Sequence, residues 1–250
     1  MRRRGIVATV ATASAIVFAC TEHFPRVNDN AIDAATNPSP DTNDAPTEEA
    51  SVACAPHAFS GPTRYVPPRP WHEDACSPSQ VDGFVTSCLQ RDATACDTFA
   101  KQNPICFACA VTPETERTWG AFVAFEGGYF DVNVTGCVAN ALGDLSDDGC
   151  GAARGRLRHC GERACRGCLP IADAKAHEAF EACIVRDDAA KICAEELASY
   201  QAKCAAHLDP KPADPTYPCF GVGLSEETLA RYYLVAFCTA APDAGDASTD

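Results

Sequence analysis

Two stretches of the chain carry apolar side chains at helical spacing around a cysteine. Positions i, i+3, i+4, i+7 and i+8 are apolar in each, first at Val81, Phe84, Val85, Cys88 and Leu89, then at Ala176, Ala179, Phe180, Cys183 and Ile184. This spacing is typical of the buried face of an amphipathic helix. We therefore predict two helices, each with a cysteine in the middle of its apolar face.

Capping residues precede these two segments and a third one near the end of the chain. Ser77 is followed by Pro78, which suits the first helical turn because its missing N–H is not needed there. Asp173 precedes the second segment, and Ser225 precedes a third segment that opens with two glutamates. Side-chain oxygens at an N-cap accept hydrogen bonds from free backbone N–H groups, and acids in the first turn complement the helix dipole. Helices are therefore expected to begin after these three caps.

Residues 119–134 have the character of strands. Aromatic and β-branched residues surround Gly127-Gly128, a pair that readily forms a tight turn. We predict a β-hairpin, which carries the aromatic residues Trp119, Phe122, Phe125, Tyr129 and Phe130. One face is expected to pack on the helices; if its aromatics were exposed, the hairpin would be the best candidate for a binding surface.

The cysteines recur in three runs of similar spacing. The runs are Cys88, Cys96 and Cys106, then Cys137, Cys150 and Cys160, then Cys183, Cys193 and Cys204. Their first cysteines lie 49 and 46 residues apart, a period typical of repeated supersecondary units. The predicted fold is mainly α and disulfide-rich, with repeated, cysteine-linked helical hairpins near 76–109, 137–168 and 176–204 and one β-hairpin.

The first and third runs also share a short motif, "CLQRDATAC" at 88–96 and "CIVRDDAAKIC" at 183–193. In each, the cysteine and the following aliphatic residue belong to the apolar helical face. No other polar groups recur at matching offsets from the Arg-Asp pairs, as a catalytic signature would require. We interpret the motif as a mark of the scaffold, in which Arg-Asp ends a helix.

The N-terminus has the order of an export signal. Three arginines precede an uncharged apolar stretch from Gly5 to Ala19, which is too short to span a bilayer comfortably. The stretch ends in "VFAC", which resembles the lipobox of bacterial lipoproteins and implies that Cys20 becomes a lipidated mature N-terminus. In such proteins an Asp after the cysteine often marks inner-membrane retention. Thr21 stands there instead, which favours the outer membrane.

The regions beside the predicted core are acidic and lack an apolar period. Residues 20–53 follow the predicted signal peptide (1–19) and are rich in proline and acids, and residues 240–250 hold three aspartates and no basic residue. Such segments cannot bury enough surface to fold. We predict a disordered tether and tail on either side of a core at 54–239.

Charge argues against several classes of partner. The leader holds three of the twenty basic residues and none of the thirty-four acidic ones, so the mature chain has a net charge of −17. Binding to nucleic acid or anionic lipid headgroups needs a positive patch, and neither partner is expected. The basic cluster at 154–160, with Arg163 and Arg166, is a possible anion site, but such clusters are more often solvated or ion-paired.

Sixteen cysteines are left after Cys20. An even number in an exported chain predicts up to eight structural disulfides, with a connectivity that spacing does not define. They are Cys54, Cys76, Cys88, Cys96, Cys106, Cys109, Cys137, Cys150, Cys160, Cys165, Cys168, Cys183, Cys193, Cys204, Cys219 and Cys238.

Two CxxC motifs, Cys106 to Cys109 and Cys165 to Cys168, leave a redox alternative open. A redox-active pair needs a stabilised first thiolate, and no thioredoxin-like βαβ pattern surrounds either motif. No His follows either pair, which excludes covalent haem attachment, and the pairs are too far apart for a compact zinc module. The calcium-like segment 144–155 ends in Gly155, where a bidentate Glu is required. No metal and no cofactor is therefore expected.

Motifs typical of hydrolases, phosphate loops and dinucleotide-binding folds are absent. The order of lipobox, acidic tether and helical cysteine repeats resembles uncharacterised cysteine-rich lipoproteins of large Gram-negative genomes, and this resemblance implies no activity and no catalytic residue. We expect a lipid-anchored, extracytoplasmic surface protein with a structural or binding role and an unidentified protein or other surface ligand. The alternatives are a thiol-disulfide oxidoreductase that uses a CxxC pair, and a hydrolase whose site forms only in space.

Overall fold

The computed structural model describes residues 54–89, 93–126, 129–171 and 173–241. The predicted signal peptide, Cys20, the tether and nearly all of the acidic tail lie outside these residues. So do Arg91-Asp92, the Gly127-Gly128 pair at which a turn was predicted, and the side chain of Tyr129.

The described residues form nine α-helices and one small sheet, which confirms a mainly α, disulfide-rich fold. In chain order the elements are α1 (Pro78–Cys88), α2 (Ala93–Gln102), α3 (Pro104–Ala110), β1 (Val111–Pro113), β2 (Phe122–Phe125), β3 (Tyr129–Val132), α4 (Val134–Ala141), α5 (Cys150–Ala164), α6 (Ala174–Ile184), α7 (Asp187–Ile192), α8 (Ala194–Lys203) and α9 (Glu226–Cys238).

The three predicted caps are confirmed. Ser77 accepts a hydrogen bond from the backbone N–H of Gln80, and the Gln80 side chain accepts one from the Ser77 N–H at 2.8 Å. Asp173 accepts from the N–H of Ala176 at the start of α6, and Ser225 caps α9 in the same way. These bonds satisfy backbone donors that the first turn of a helix leaves free.

The sheet contains the predicted hairpin and one strand that the sequence did not predict. β2 and β3 pair antiparallel, from Phe122 opposite Val132 to Phe125 opposite Tyr129. β1 pairs parallel with β2 on its other side. This strand has only three residues and follows α3 directly, so it shows neither an alternating pattern nor a turn signal.

The main core lies where the hairpin packs on the helices. Phe84 of α1 stacks on Phe122 of β2 with ring centroids 5.5 Å apart, and both side chains are buried. Tyr233 and Phe237 of α9 stack in the same core. A second, smaller cluster surrounds Phe180 of α6. The buried face of the hairpin therefore packs on the helices as predicted.

Eight disulfides tie the elements together, and every one of the sixteen predicted cysteines takes part. The pairs are Cys54–Cys168, Cys76–Cys106, Cys88–Cys96, Cys109–Cys238, Cys137–Cys219, Cys150–Cys204, Cys160–Cys193 and Cys165–Cys183. The bond partners differ between the three runs. The first run is linked within residues 76–106. The second and third are linked to each other by bonds from Cys150 and Cys160 of α5 to Cys204 and Cys193, the residues at the two ends of α8.

The described copy of the Arg-Asp motif lies between two helices. α6 ends at Ile184, and Asp187 is the first residue of α7. Arg186 pairs with Asp188 at 2.8 Å on the surface. The prediction that the pair ends a helix is therefore corrected: Asp187 begins the next helix, because an acid suits a first turn.

Residues 55–70 run without helix or long strand across α5, and we call them the strap. Arg163 of α5 donates hydrogen bonds to the carbonyl oxygens of Ser60 and Pro62, and its guanidinium lies over the ring of Phe59. His159 of α5 accepts a hydrogen bond from the Arg64 N–H at 2.9 Å. These contacts place the strap over the cavity described next.

Candidate functional site

A cavity of about 130 Å³ lies between the strap, the β-hairpin, α5 and α6. Its walls combine the aromatic rings of Tyr65, Trp119 and Phe125 with charged side chains from α5, α6 and β3. Aromatic walls with a few convergent polar groups are typical of a small-molecule binding site. This is the candidate functional site of the protein.

Arg158 is the centre of the charged wall. Its guanidinium makes a bidentate contact with Glu181 of α6 at 2.7 and 2.6 Å. Its Nε donates to Glu162, one turn further along α5, at 2.8 Å, and one terminal nitrogen lies 3.3 Å from Asp131 of β3. One cation therefore holds three carboxylates from three elements, and we call these four residues the Arg158 cluster.

Burial and mutual repulsion raise the pKa of two of these carboxyl groups. Desolvation raises the pKa of Asp131 to about 6, against the opposing effect of Arg158 and with a further increase from Glu181. Desolvation likewise raises the pKa of Glu162 to about 7. Burial also opposes the charged form of Arg158, but Glu181 and Glu162 outweigh it and hold the pKa of Arg158 above its ordinary value.

Two histidines also line the cavity. The imidazole Nε2 of His177 lies 3.9 Å from Glu181, one turn away on α6. His159 has its pKa lowered to about 4 by burial and by the nearby charges of Arg64 and Arg163.

A hydrolase site would need a nucleophile beside a histidine and a carboxylate such as His177 and Glu181. The described lining residues include no serine; their hydroxyl groups are those of Tyr65 and Thr135, and their only cysteine, Cys219, is bonded to Cys137.

The sequence did not single out Asp131, Glu162 or Glu181. The available signal was the four-residue spacing from Arg158 to Glu162 and from His177 to Glu181, which places each pair on one helix face. The basic cluster at 154–160 did contain Arg158, and the structure shows this residue ion-paired.

The four cysteines of the CxxC motifs are each bonded to a partner outside their own motif. Cys106 bonds to Cys76 and Cys109 to Cys238, while Cys165 bonds to Cys183 and Cys168 to Cys54. Cys106, Cys109 and Cys165 are also buried, at most 1 % exposed. A redox pair instead exchanges one bond between its own two sulfurs and keeps one sulfur accessible.

One group of side chains in the described part of the chain has a spacing suited to a metal ion, namely Cys54, Cys168 and Cys183. All three sulfurs belong to disulfides, whereas metals bind the thiolate form. In the calcium-like segment, Asp144 accepts hydrogen bonds from the N–H and hydroxyl of Ser146, which closes a local turn.

The disulfides indicate that the core resides in an oxidising, extracytoplasmic environment, since thiols are kept reduced in the cytosol. Among the described residues, none of the helices has the length and apolar character needed to cross a membrane. Comparison with known proteins gives no match to a family model, to a curated protein or to a solved structure.

Proposed function

We propose that this chain is an exported surface protein, anchored to a bacterial membrane through lipid on Cys20, whose core has a structural or binding role. The observation that carries the proposal is the use of all sixteen core cysteines in eight disulfides. A core so cross-linked suits exposure outside the cytoplasm, where chaperones powered by ATP are absent and proteases are present. The N-terminal order of arginines, apolar stretch and cysteine supports the anchor.

The cavity supports the binding role. Its aromatic and charged walls give it the chemistry of a recognition site. The outer membrane is the proposed location because Thr21, not an aspartate, follows Cys20.

Lipidation is tested by producing the full chain in a Gram-negative host that is fed an alkyne fatty acid. The wild type should incorporate the label and sediment with outer-membrane vesicles, and Cys20→Ser should lose the label. Thr21→Asp is the matched control, because it should keep the label and move to the inner-membrane fraction. An unlabelled wild-type chain would refute the anchor.

A thiol-disulfide oxidoreductase is the second candidate, because the two CxxC motifs are present. Bonding of their cysteines to distant partners favours a structural role. Mild reduction followed by alkylation and peptide mass spectrometry distinguishes the two. Early, selective labelling of Cys106 and Cys109, or of Cys165 and Cys168, would favour the redox candidate; labelling that begins with the short Cys88–Cys96 loop would favour the structural role.

A further inference from the structure

The Arg158 cluster has more negative than positive groups. Asp131, Glu162 and Glu181 all lie within 3.3 Å of one guanidinium. The three carboxylate side chains are largely withdrawn from water, with exposed fractions of 25 % for Asp131, 14 % for Glu162 and 7 % for Glu181. Carboxylates that share a site in this way repel each other, and binding a proton relieves that repulsion.

The cluster also joins three parts of the fold. Asp131 belongs to β3 of the hairpin, Arg158 and Glu162 to α5, and Glu181 to α6. No other carboxylate of the hairpin is paired with Arg158 in the described residues. The charge state of the cluster therefore acts directly on how the hairpin and α6 pack against α5.

The other titratable and charged groups that line the cavity come from three elements. They are Arg154 and His159 of α5, His177 of α6, and Arg64 and Tyr65 of the strap. Burial raises the pKa of Tyr65 to about 12, so its phenol stays neutral over the range tested below. Arg154 acts on Asp131 in the opposite sense to burial, but more weakly than Arg158 does. Arg64 is already paired with Glu114, which leaves the acidic excess centred on Arg158.

We propose that the Arg158 cluster is a pH-sensitive joint, which takes up protons as its surroundings acidify and holds the hairpin and α6 more firmly to α5 in the protonated form.

The direction of this pH dependence follows from the proton affinities of the folded and unfolded chains. The pKa of Asp131 rises from 3.8 to about 6 on folding and that of Glu162 from 4.5 to about 7. At pH values between the unfolded and the folded pKa values of these groups, the native state therefore binds more protons than the unfolded state. Stability from these groups is complete below the unfolded pKa values and is lost as the pH rises through about 6 and 7.

His159 acts in the opposite sense and must be separated from the cluster. Its pKa falls from 6.5 to about 4 on folding, so its contribution is complete above the unfolded pKa and is lost on acidification. The test therefore compares variants with the wild type at each pH, so that the His159 contribution cancels.

The test uses the double variant Asp131→Asn/Glu162→Gln, which is uncharged at those two positions at every pH. Unfolding by guanidinium with the disulfides intact is measured from about pH 5 to about pH 8. Relative to the variant, the wild-type unfolding constant should rise by up to tenfold per pH unit for each proton that is released on unfolding. The variant should exceed the wild type in stability least at the acidic end of this range, and its advantage should widen towards the alkaline end. Glu227→Gln is the matched control: this carboxylate pairs with Arg231 but is 63 % exposed, and its profile should parallel the wild type.

A second measurement does not depend on unfolding. Carbon-13 NMR of the folded wild type should show two carboxyl groups that titrate near pH 6 and 7 and disappear in the double variant. Ordinary midpoints for both groups would overturn the proposal. So would a variant that is destabilised equally at both ends of the pH range, because the carboxylates would then be simple salt-bridge partners. A third outcome would also overturn the proposal: ordinary titration midpoints together with a wild type, but not a variant, that calcium chloride stabilises at the alkaline end. A bound cation, and not a proton, would then compensate the charge of the cluster.

Discussion

Removal of the disulfide between Cys109 and Cys238 should destabilise the protein by about 4 kcal/mol. The two cysteines are 129 residues apart, and a loop of that length would correspond to about 5 kcal/mol of chain entropy. The Cys137–Cys219 bond shortens the loop, because the chain can be followed from Cys109 to Cys137, across that bond, and on to Cys238. This path has about 47 residues, which gives about 4 kcal/mol.

The matched comparison is the Cys88–Cys96 bond, which closes a loop of only 8 residues. The same relation gives about 2.5 kcal/mol for its removal. All four cysteines are buried, at most 7 % exposed, so replacement by alanine removes similar packing in both pairs. Alanine is preferred to serine because a buried hydroxyl would need a hydrogen-bond partner.

The assay is guanidinium unfolding of Cys109→Ala/Cys238→Ala and Cys88→Ala/Cys96→Ala without reductant. Each variant lacks both sulfurs of one bond, which avoids free thiols that could exchange with other disulfides. The first variant should lose more stability than the second by about 1.5 kcal/mol. Equal losses, or a larger loss for the short loop, would refute the argument from loop length.

Further predictions concern packing and titration. Gly151→Ala should destabilise the protein by about 1–3 kcal/mol in thermal unfolding, because its new methyl would lie 2.5 Å from the Cβ of Ala139 where α5 meets α4. Gly167→Ala, whose methyl would meet no atom closer than 3.9 Å, should leave the stability nearly unchanged. Equal melting temperatures for the two variants would contradict the close approach of α5 to α4 at Gly151. His159 should titrate near pH 4 in proton NMR, and His159→Gln should stabilise the protein at about pH 5 but not at about pH 8. A midpoint near 6.5 would show that its burial is not maintained in solution.

Local features of the fold could be predicted from the sequence because they depend on neighbouring residues. The caps at Ser77, Asp173 and Ser225 each act within three residues, and all three are observed. The hairpin was predicted near 119–134 and its strands span 122–132, since aromatic strand residues surround a glycine pair. β1 was missed because its three residues become a strand only by pairing with β2.

The site could not be predicted for a related reason. Asp131, Arg158 and Glu181 are separated by 27 and 23 residues, and nothing near any one of them indicates the other two. Disulfide connectivity is equally non-local: Cys137 and Cys183 hold corresponding places in their runs, yet one bonds to Cys219 and the other to Cys165. These relations depend on the packing of whole helices.

The two longest disulfide loops overlap, and this matters for the lifetime of the molecule among proteases. Cys54–Cys168 encloses the first part of the core, Cys109–Cys238 encloses the rest, and together they span every peptide bond from Cys54 to Cys238. A single proteolytic cut anywhere in that interval leaves both fragments covalently joined. The cut would become visible on a gel only after reduction. If the chain is anchored through Cys20 as proposed, the damaged core would also stay on the membrane instead of being shed.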